Sequence, residues 1–187
     1  SVPVLDNGSL EKTGHTFTGW NTRTDGTGTA YSAGTSFKMP ANNITLYAQW
    51  SVNQYTITFD SGGGTAIPPI TQDYNTSVGL WYEPTLEGYS FVNWNTQADG
   101  NGASYATGES FTMPANNLIL YAQWGINEYT ITFDSAGGTA ITPTTQNYGT
   151  AIIIPEPPSL EGFSFAGWHP AIPAAMPAEN ITLTAQW

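Results

Sequence analysis

The sequence predicts an α+β chain that is mostly β, built from tandem small repeats with little helix. Three observations predict it. The dipeptide Gln-Trp closes three segments, at Gln49-Trp50, Gln123-Trp124 and Gln186-Trp187. Ahead of each Gln-Trp, apolar and polar residues alternate with the period of a half-buried strand. Glycine (20) and proline (13) punctuate the 187 residues, as a chain of many turns requires.

The repeats set the domain organisation, because self-similarity at a fixed period marks repeat architecture. Residues 55–94 align on 129–168 without a gap, with 24 identities in 40. Residues 15–50 align on 89–124 with 21 identities in 36. The first copy, 1–50, is truncated at its front; the second, 51–124, is full. The third, 125–187, carries an 11-residue deletion: Trp94 to Met113 spans 19 positions, Trp168 to Met176 only 8. The linkers Ser51-Val52-Asn53-Gln54 and Gly125-Ile126-Asn127-Glu128 are short, which predicts a stiff string rather than free tumbling. The opening Ser1-Val2-Pro3, without methionine, reads as a fragment of something larger.

The elements of the full copy follow in order. In Tyr55-Thr56-Ile57-Thr58-Phe59 the Tyr, Ile and Phe face one way and the threonines the other, so this is a strand. Gly62-Gly63-Gly64 breaks it, supplying backbone freedom at a turn. A second strand is expected near Thr71 to Ser77. A short helix is expected between Thr76 and Leu86, where the chain must cross the sheet. Pro84 to Gly88 is a turn and Tyr89 to Thr96 a third strand. Asp99-Gly100, like Asp25-Gly26, signals a hairpin. In the last strand Leu118, Leu120, Ala122 and Trp124 share the core face, with Ile119, Tyr121 and Gln123 opposite. Ile44/Leu46/Ala48/Trp50 and Ile181/Leu183/Ala185/Trp187 repeat that face.

Three motifs in series carry a resemblance: Tyr-Thr-Ile-Thr-Phe-Asp-Ser from Tyr55 and again from Tyr129, Glu-Gly-Tyr-Ser-Phe ahead of Trp94, and Met-Pro-Ala-Asn-Asn ahead of Leu-Tyr-Ala-Gln-Trp. This ordered set resembles the Listeria–Bacteroides repeat family, to which the B-repeat of internalin B belongs. The resemblance implies a small β-grasp, ubiquitin-like fold, in which a curved sheet packs on one short helix. It implies a non-catalytic adhesion or spacer module of a bacterial cell-surface or secreted protein. The partner expected is a host or matrix protein or a glycan, and no cofactor is implied.

Composition narrows the function further. The net charge is −11, and Lys12, Arg23 and Lys38 are the whole basic supply. Nucleic acid and anionic membranes need clustered cations, so neither is an expected partner. No apolar run approaches the roughly 18 residues of a membrane helix, so no membrane insertion is expected. With no cysteine, disulfides and thiolate chemistry are excluded. His15 and His169 sit at unrelated repeat positions, and Glu87 and Glu161 each lie in a Glu-Gly turn. A glycosidase needs two carboxylates flanking a cleft, and a domain of about 70 residues has little room for one, so no enzyme is expected.

Two sets of residues stand out as candidate sites. Six tryptophans recur at repeat positions, which assigns them to the core, since small domains must bury large side chains. Trp81 and Tyr82 differ, because Pro155 and Glu156 replace them in the third copy. They are the candidate ligand-binding residues, and a carbohydrate-binding module is the rival reading they support. Asp25 and Asp99 lie in loops with a calcium-like composition, but calcium wants six to eight oxygens and each loop offers one carboxylate. The hairpin turn accounts for both, and no metal is expected. Finally, residues 1–50 lack a first strand. An open sheet edge recruits other strands, so this copy is expected to pair with a neighbouring chain or to be less ordered than the rest.

Overall fold

A computed structural model describes all residues, 1–187. The first repeat supplies β1 (Val2–Pro3), β2 (His15–Asn21), β3 (Ala30–Tyr31), β4 (Ser36–Phe37) and β5 (Tyr47–Val52). The second supplies β6 (Gln54–Asp60), β7 (Ile70–Asp73), β8 (Ser77–Gly79), β9 (Tyr89–Asn95), β10 (Ser104–Tyr105), β11 (Ser110–Thr112) and β12 (Leu118–Ile126). The third supplies β13 (Glu128–Asp134), β14 (Thr144–Asn147), β15 (Gly167–His169) and β16 (Ile181–Gln186). The mostly-β reading is realised, and Tyr55 to Phe59 and Leu118 to Trp124 lie in strands as the period-two pattern predicts. The strand expected near Thr71 to Ser77 is instead two, β7 and β8, separated by a turn at residues 74–76.

The chain forms two compact units. One holds Ser1–Phe59, Pro68–Trp81 and Thr107–Leu120; the other holds Asp60–Ile67, Tyr82–Ala106 and Tyr121–Trp187. In the first unit β3, β2 and β5 form a three-stranded sheet in that order, and β1 pairs with β4. There β6 pairs with β7, and β8 with β11, all antiparallel. In the second unit β9 lies between β10 and the later part of β12, with Trp94 opposite both Tyr105 and Ala122.

The third repeat, wholly within the second unit, shows the design in its shortest form. Its sheet runs β14-β13-β16-β15. The central pair is parallel, with Ile131 opposite Ile181 and Phe133 opposite Leu183. Those four side chains alternate toward one face, so Ile131, Phe133 and Leu183 are buried and Met176 closes the cluster. Fully burying each such side chain is worth about 1.5–3 kcal/mol. The same positions are buried in the second repeat, at Ile57, Phe59, Leu120 and Met113. The 11-residue deletion removes the loop and the strand that β10 provides in the second repeat.

The helix is where the sequence reading fails. No residue between Thr76 and Leu86 is helical. Ser77–Gly79 instead form β8, and Val78 is buried opposite Phe111. Leu80 N–H donates to Glu109 O at 2.9 Å, which extends the pairing past the strand. Gly79 and Pro84 both disfavour helix, and a crossing of this length satisfies its backbone better by pairing with β11. The helix that a β-grasp fold implies is therefore replaced by a two-stranded ribbon.

Candidate functional site

Each repeat holds an aromatic triad that fixes its tryptophans. Phe17 meets Trp20 and Trp50 at ring distances of 5.4 and 5.6 Å. Phe91 meets Trp94 and Trp124 at 5.2 and 5.7 Å, and Phe165 meets Trp168 and Trp187 at 5.3 and 5.9 Å. Edge and tilted geometries suit the ring quadrupoles. The expectation of six core tryptophans needs adjusting: Trp94 is fully buried, whereas the other five are half-buried. Their repeat positions mark a shared structural role on the rim of each core.

Trp81 and Tyr82, the candidate ligand-binding residues, both stand at the surface. They are 69 % and 51 % exposed. The Trp81 indole lies against the backbone of Gly79, where any Cβ would collide with the ring, and within 3.7 Å of the Cβ position of Gly108. The ring is thus held against a glycine floor with its outer face in water. The Tyr82 carbonyl accepts a hydrogen bond from Trp94 Nε1 at 3.2 Å, which anchors its backbone and leaves its side chain outward.

The loops around Asp25 and Asp99 are organised by asparagine. Asn21, 3 % exposed, accepts from Arg23 N–H (2.9 Å) and Gly28 N–H (3.0 Å) and donates to Gly26 O (3.0 Å). Asn95, 1 % exposed, repeats this with Gln97 N–H (2.9 Å), Gly102 N–H (3.0 Å) and Gly100 O (3.0 Å). The Asp25 carboxylate accepts from Thr27 N–H (3.0 Å) and Thr27 Oγ1 (2.8 Å). Asp99 accepts from Asn101 N–H (3.1 Å) and Asn101 Nδ2 (3.0 Å). These bonds, the backbone one first, hold both carboxyls below the usual aspartate range. No three acidic or histidine side chains gather anywhere in the chain. The residues that sequence reading missed are Asn21 and Asn95, whose recurrence at a spacing of 74 was their signal.

The linkers prove to be built joints. In the first, Asn53 N–H donates to Gly14 O (2.9 Å) and Tyr74 N–H donates to Asn53 O (2.8 Å). Thr16 Oγ1 donates to Asn53 Oδ1 at 2.6 Å. Tyr74 lies on Gly14, at a spot where a Cβ cannot fit, and its ring meets His15 edge-on at 6.0 Å. The second joint reproduces each contact. Asn127 N–H donates to Gly88 O and Tyr148 N–H to Asn127 O, both at 2.9 Å, and Ser90 Oγ donates to Asn127 Oδ1 at 2.6 Å. Tyr148 lies on Gly88 and meets Tyr89 at 6.0 Å. Gly14 (φ +68°) and Gly88 (φ +75°) are left-handed, so glycine serves both the turn and the close approach.

A string of small β-repeats with copied cores and copied joints defines a tandem-repeat protein, a class in which each unit contacts only its neighbours. The chain belongs to the Listeria-Bacteroides repeat domain family, whose model matches residues 3–49, 55–123 and 129–186. Relatives include a putative Gly-rich membrane protein of Evansella cellulosilytica, 39 % identical over all of this chain and 24 % of its own length. A putative membrane protein of the same organism is 35 % identical over 95 % of this chain and 27 % of its own length. Internalin H of Listeria monocytogenes is 40 % identical over 75 % of this chain and 24 % of its own length. The chain thus spans about a quarter of the length of these relatives.

Proposed function

We propose that the chain is a non-catalytic repeat module of a bacterial envelope-associated protein, displayed outside the cell, that spaces and presents a binding surface. The observation that carries this reading is the duplicated joint. Free linkers would allow tumbling, but Asn53 and Asn127 each tie two repeats together through backbone and side chain. Orientation preserved from repeat to repeat is what a spacer needs. The relatives' names, membrane protein and internalin, support an envelope setting. The acidic surface disfavours sticking to anionic envelope polymers. The test is single-molecule energy transfer between dyes on either side of the second joint. A single narrow distance distribution supports the spacer reading, and a broad one sinks it.

A carbohydrate-binding role is the second reading, favoured by Trp81, whose exposed indole face is a natural platform for a sugar ring. Immobilised glycans and matrix proteins, probed with the chain and with Trp81→Ala, separate the two. Loss of glycan binding in the variant moves the assignment to carbohydrate. Retention of matrix-protein binding without glycan binding keeps it with protein adhesion.

A further inference from the structure

The internal deletion in the third repeat leaves an open strand edge. In the second repeat β8 pairs antiparallel with β11, and Leu80 N–H extends the ladder to Glu109 O at 2.9 Å. The stretch matching β8 in the third repeat is Ala151-Ile152-Ile153-Ile154. Opposite it, residues 170–175 stand in the place of β11. Ala151 bridges to Ala175, and the pairing stops there. The same register would next set Ile153 against Pro173, which has no N–H to give. Neither Ile152 nor Ile154 makes a backbone hydrogen bond. The side chains report the same loss. Leu80 is 1 % exposed, whereas Ile154 at its repeat position is 61 % exposed and Ile153 beside it 68 %. Ile152 still packs against the core of its repeat.

The other edge of this segment is satisfied. Gln146 Nε2 donates to Ala151 O at 3.0 Å, and Ile153 N–H donates to Gln146 Oε1 at 3.2 Å. One side-chain amide thus takes the place of a peptide group on a neighbouring strand. In an extended segment alternate residues turn their N–H and C=O to the same edge. Those of Ile152 and Ile154 therefore face together the side that β11 fills in the second repeat. Natural edges are blunted by charged side chains or covered, but residues 144–155 carry no charge.

Extent and charge choose the occupant. A second copy pairing symmetrically about Ile153 would meet over only three residues. Pro155 ends the free edge on one side, and the bond from Met176 N–H to Thr150 O ends it on the other. A stable dimer needs roughly 800 Å² from each partner. Glu128, Asp134, Glu156, Glu161 and Glu179 are the charged side chains of the third repeat, and no lysine or arginine follows Lys38. Two such surfaces repel each other, whereas a cationic segment is attracted.

We infer that residues 152–154 are a docking edge for one extended segment of a partner protein, β-branched at its centre and flanked by lysine or arginine. The segment adds antiparallel, as β11 does to β8. It exchanges main-chain bonds with Ile152 and Ile154 and covers the side chains of Ile153 and Ile154. Main-chain bonds supply the affinity of such strand addition, and side chains its selectivity. The inference rests on the proposed reading that the module presents a binding surface, but not on the rigidity of the joints, so its failure leaves the dye-distance test of the spacer standing.

The test titrates the full, isotope-labelled chain with a capped synthetic peptide, Lys-Lys-Val-Ile-Val-Lys-Lys. Saturable binding is expected, with exchange of the Ile152 and Ile154 amides slowed about tenfold or more. The same peptide N-methylated at both valines keeps its charge and apolar surface but loses the pairing donors, and is expected not to bind. Glutamate in place of its lysines is expected to weaken binding at least about tenfold. In the chain, Ile154→Pro removes one N–H from the edge and is expected to abolish binding. Ile153→Lys, at an exposed position, is expected to weaken binding about tenfold while resonances outside residues 151–155 stay where they are. Binding of the N-methylated peptide as tight as that of the parent overturns the inference, since charge alone would then account for it. So do the absence of saturable binding, shifts that map away from residues 151–155, and a dimer of the chain alone that excludes the peptide.

Discussion

Replacing Gly88 by alanine tests the joints, because the molecule supplies its own control. Gly88 and Gly162 occupy the same repeat position and the same left-handed region, at φ +75° and +82°. A Cβ on Gly88 would enter the Tyr148 ring, while a Cβ on Gly162 meets nothing within 4 Å. Both substitutions incur the left-handed cost of a non-glycine residue, about 1–2 kcal/mol. Only Gly88→Ala must also displace Tyr148, adding about 1–3 kcal/mol of overpacking and about 0.5–1 kcal/mol for the lost edge contact with Tyr89. An excess of about 2 kcal/mol corresponds to roughly thirtyfold faster exchange of the Tyr148 amide, which bonds to Asn127. Urea unfolding followed by tryptophan fluorescence gives the stability side of the comparison. In a Tyr148→Ala background the excess is expected to vanish, since the obstructing ring is gone. Equal costs for Gly88→Ala and Gly162→Ala would refute the joint as a packed structure, and the spacer reading with it.

Four further outcomes are expected. Asn95→Ala removes the buried acceptor of the Gln97 and Gly102 N–H groups and is expected to cost about 1–3 kcal/mol in denaturant unfolding. Met113→Ala, at a fully buried site, is expected to cost about 2–5 kcal/mol, and Met39→Ala, half exposed, clearly less. Asp25 and Asp99 are fully exposed and titrate below the ordinary value of 3.8. A depressed folded pKa gives stability that is complete above the unfolded value and is lost as pH falls through the folded one, so their contribution disappears only below pH 3.8. Carboxyl NMR titration checks this, and Thr27→Ala is expected to bring Asp25 only part of the way back, because the larger cause, the backbone N–H, remains. Trp81→Ala is expected to change stability little, by about 1 kcal/mol at most, since the ring is largely in water; a thermal melt reads it.

The strands were legible because each is a period-two pattern printed two or three times. Ile57 and Ile131, Leu120 and Leu183, Met113 and Met176 are buried at matching places, and alignment of the copies reveals them without coordinates. The helix was misread because the need to cross the sheet and the short helix that the family resemblance implies both suggested it. The competing pairing of Val78 with Phe111 joins residues far apart in sequence, which no local pattern reports. The joints were hidden for a related reason. Asn53 and Asn127 look like linker residues, and Tyr74 and Tyr148 like ordinary strand-end aromatics. Only the fold brings Gly14 under Tyr74 and Gly88 under Tyr148. The tryptophans were assigned by their size, but a half-buried rim position repeats as faithfully as a core one.

Core, joint and loop use separate residues in this design, and that separation explains how the copies can diverge. The third repeat lacks the loop ordered by Asn95 and the strand beside it, yet Ile131, Phe133, Met176 and Leu183 still close its core. It also keeps the tie to its predecessor through Asn127 and Tyr148. A deletion confined to the loop therefore removes neither folding nor placement. The converse holds for Trp81 and Tyr82, which the third repeat replaces with Pro155 and Glu156 at no expense to its core or joint. On the proposed function, surface residues such as Trp81 and Tyr82 are free to change in one copy while the joint contacts of Asn53 and Asn127 are kept.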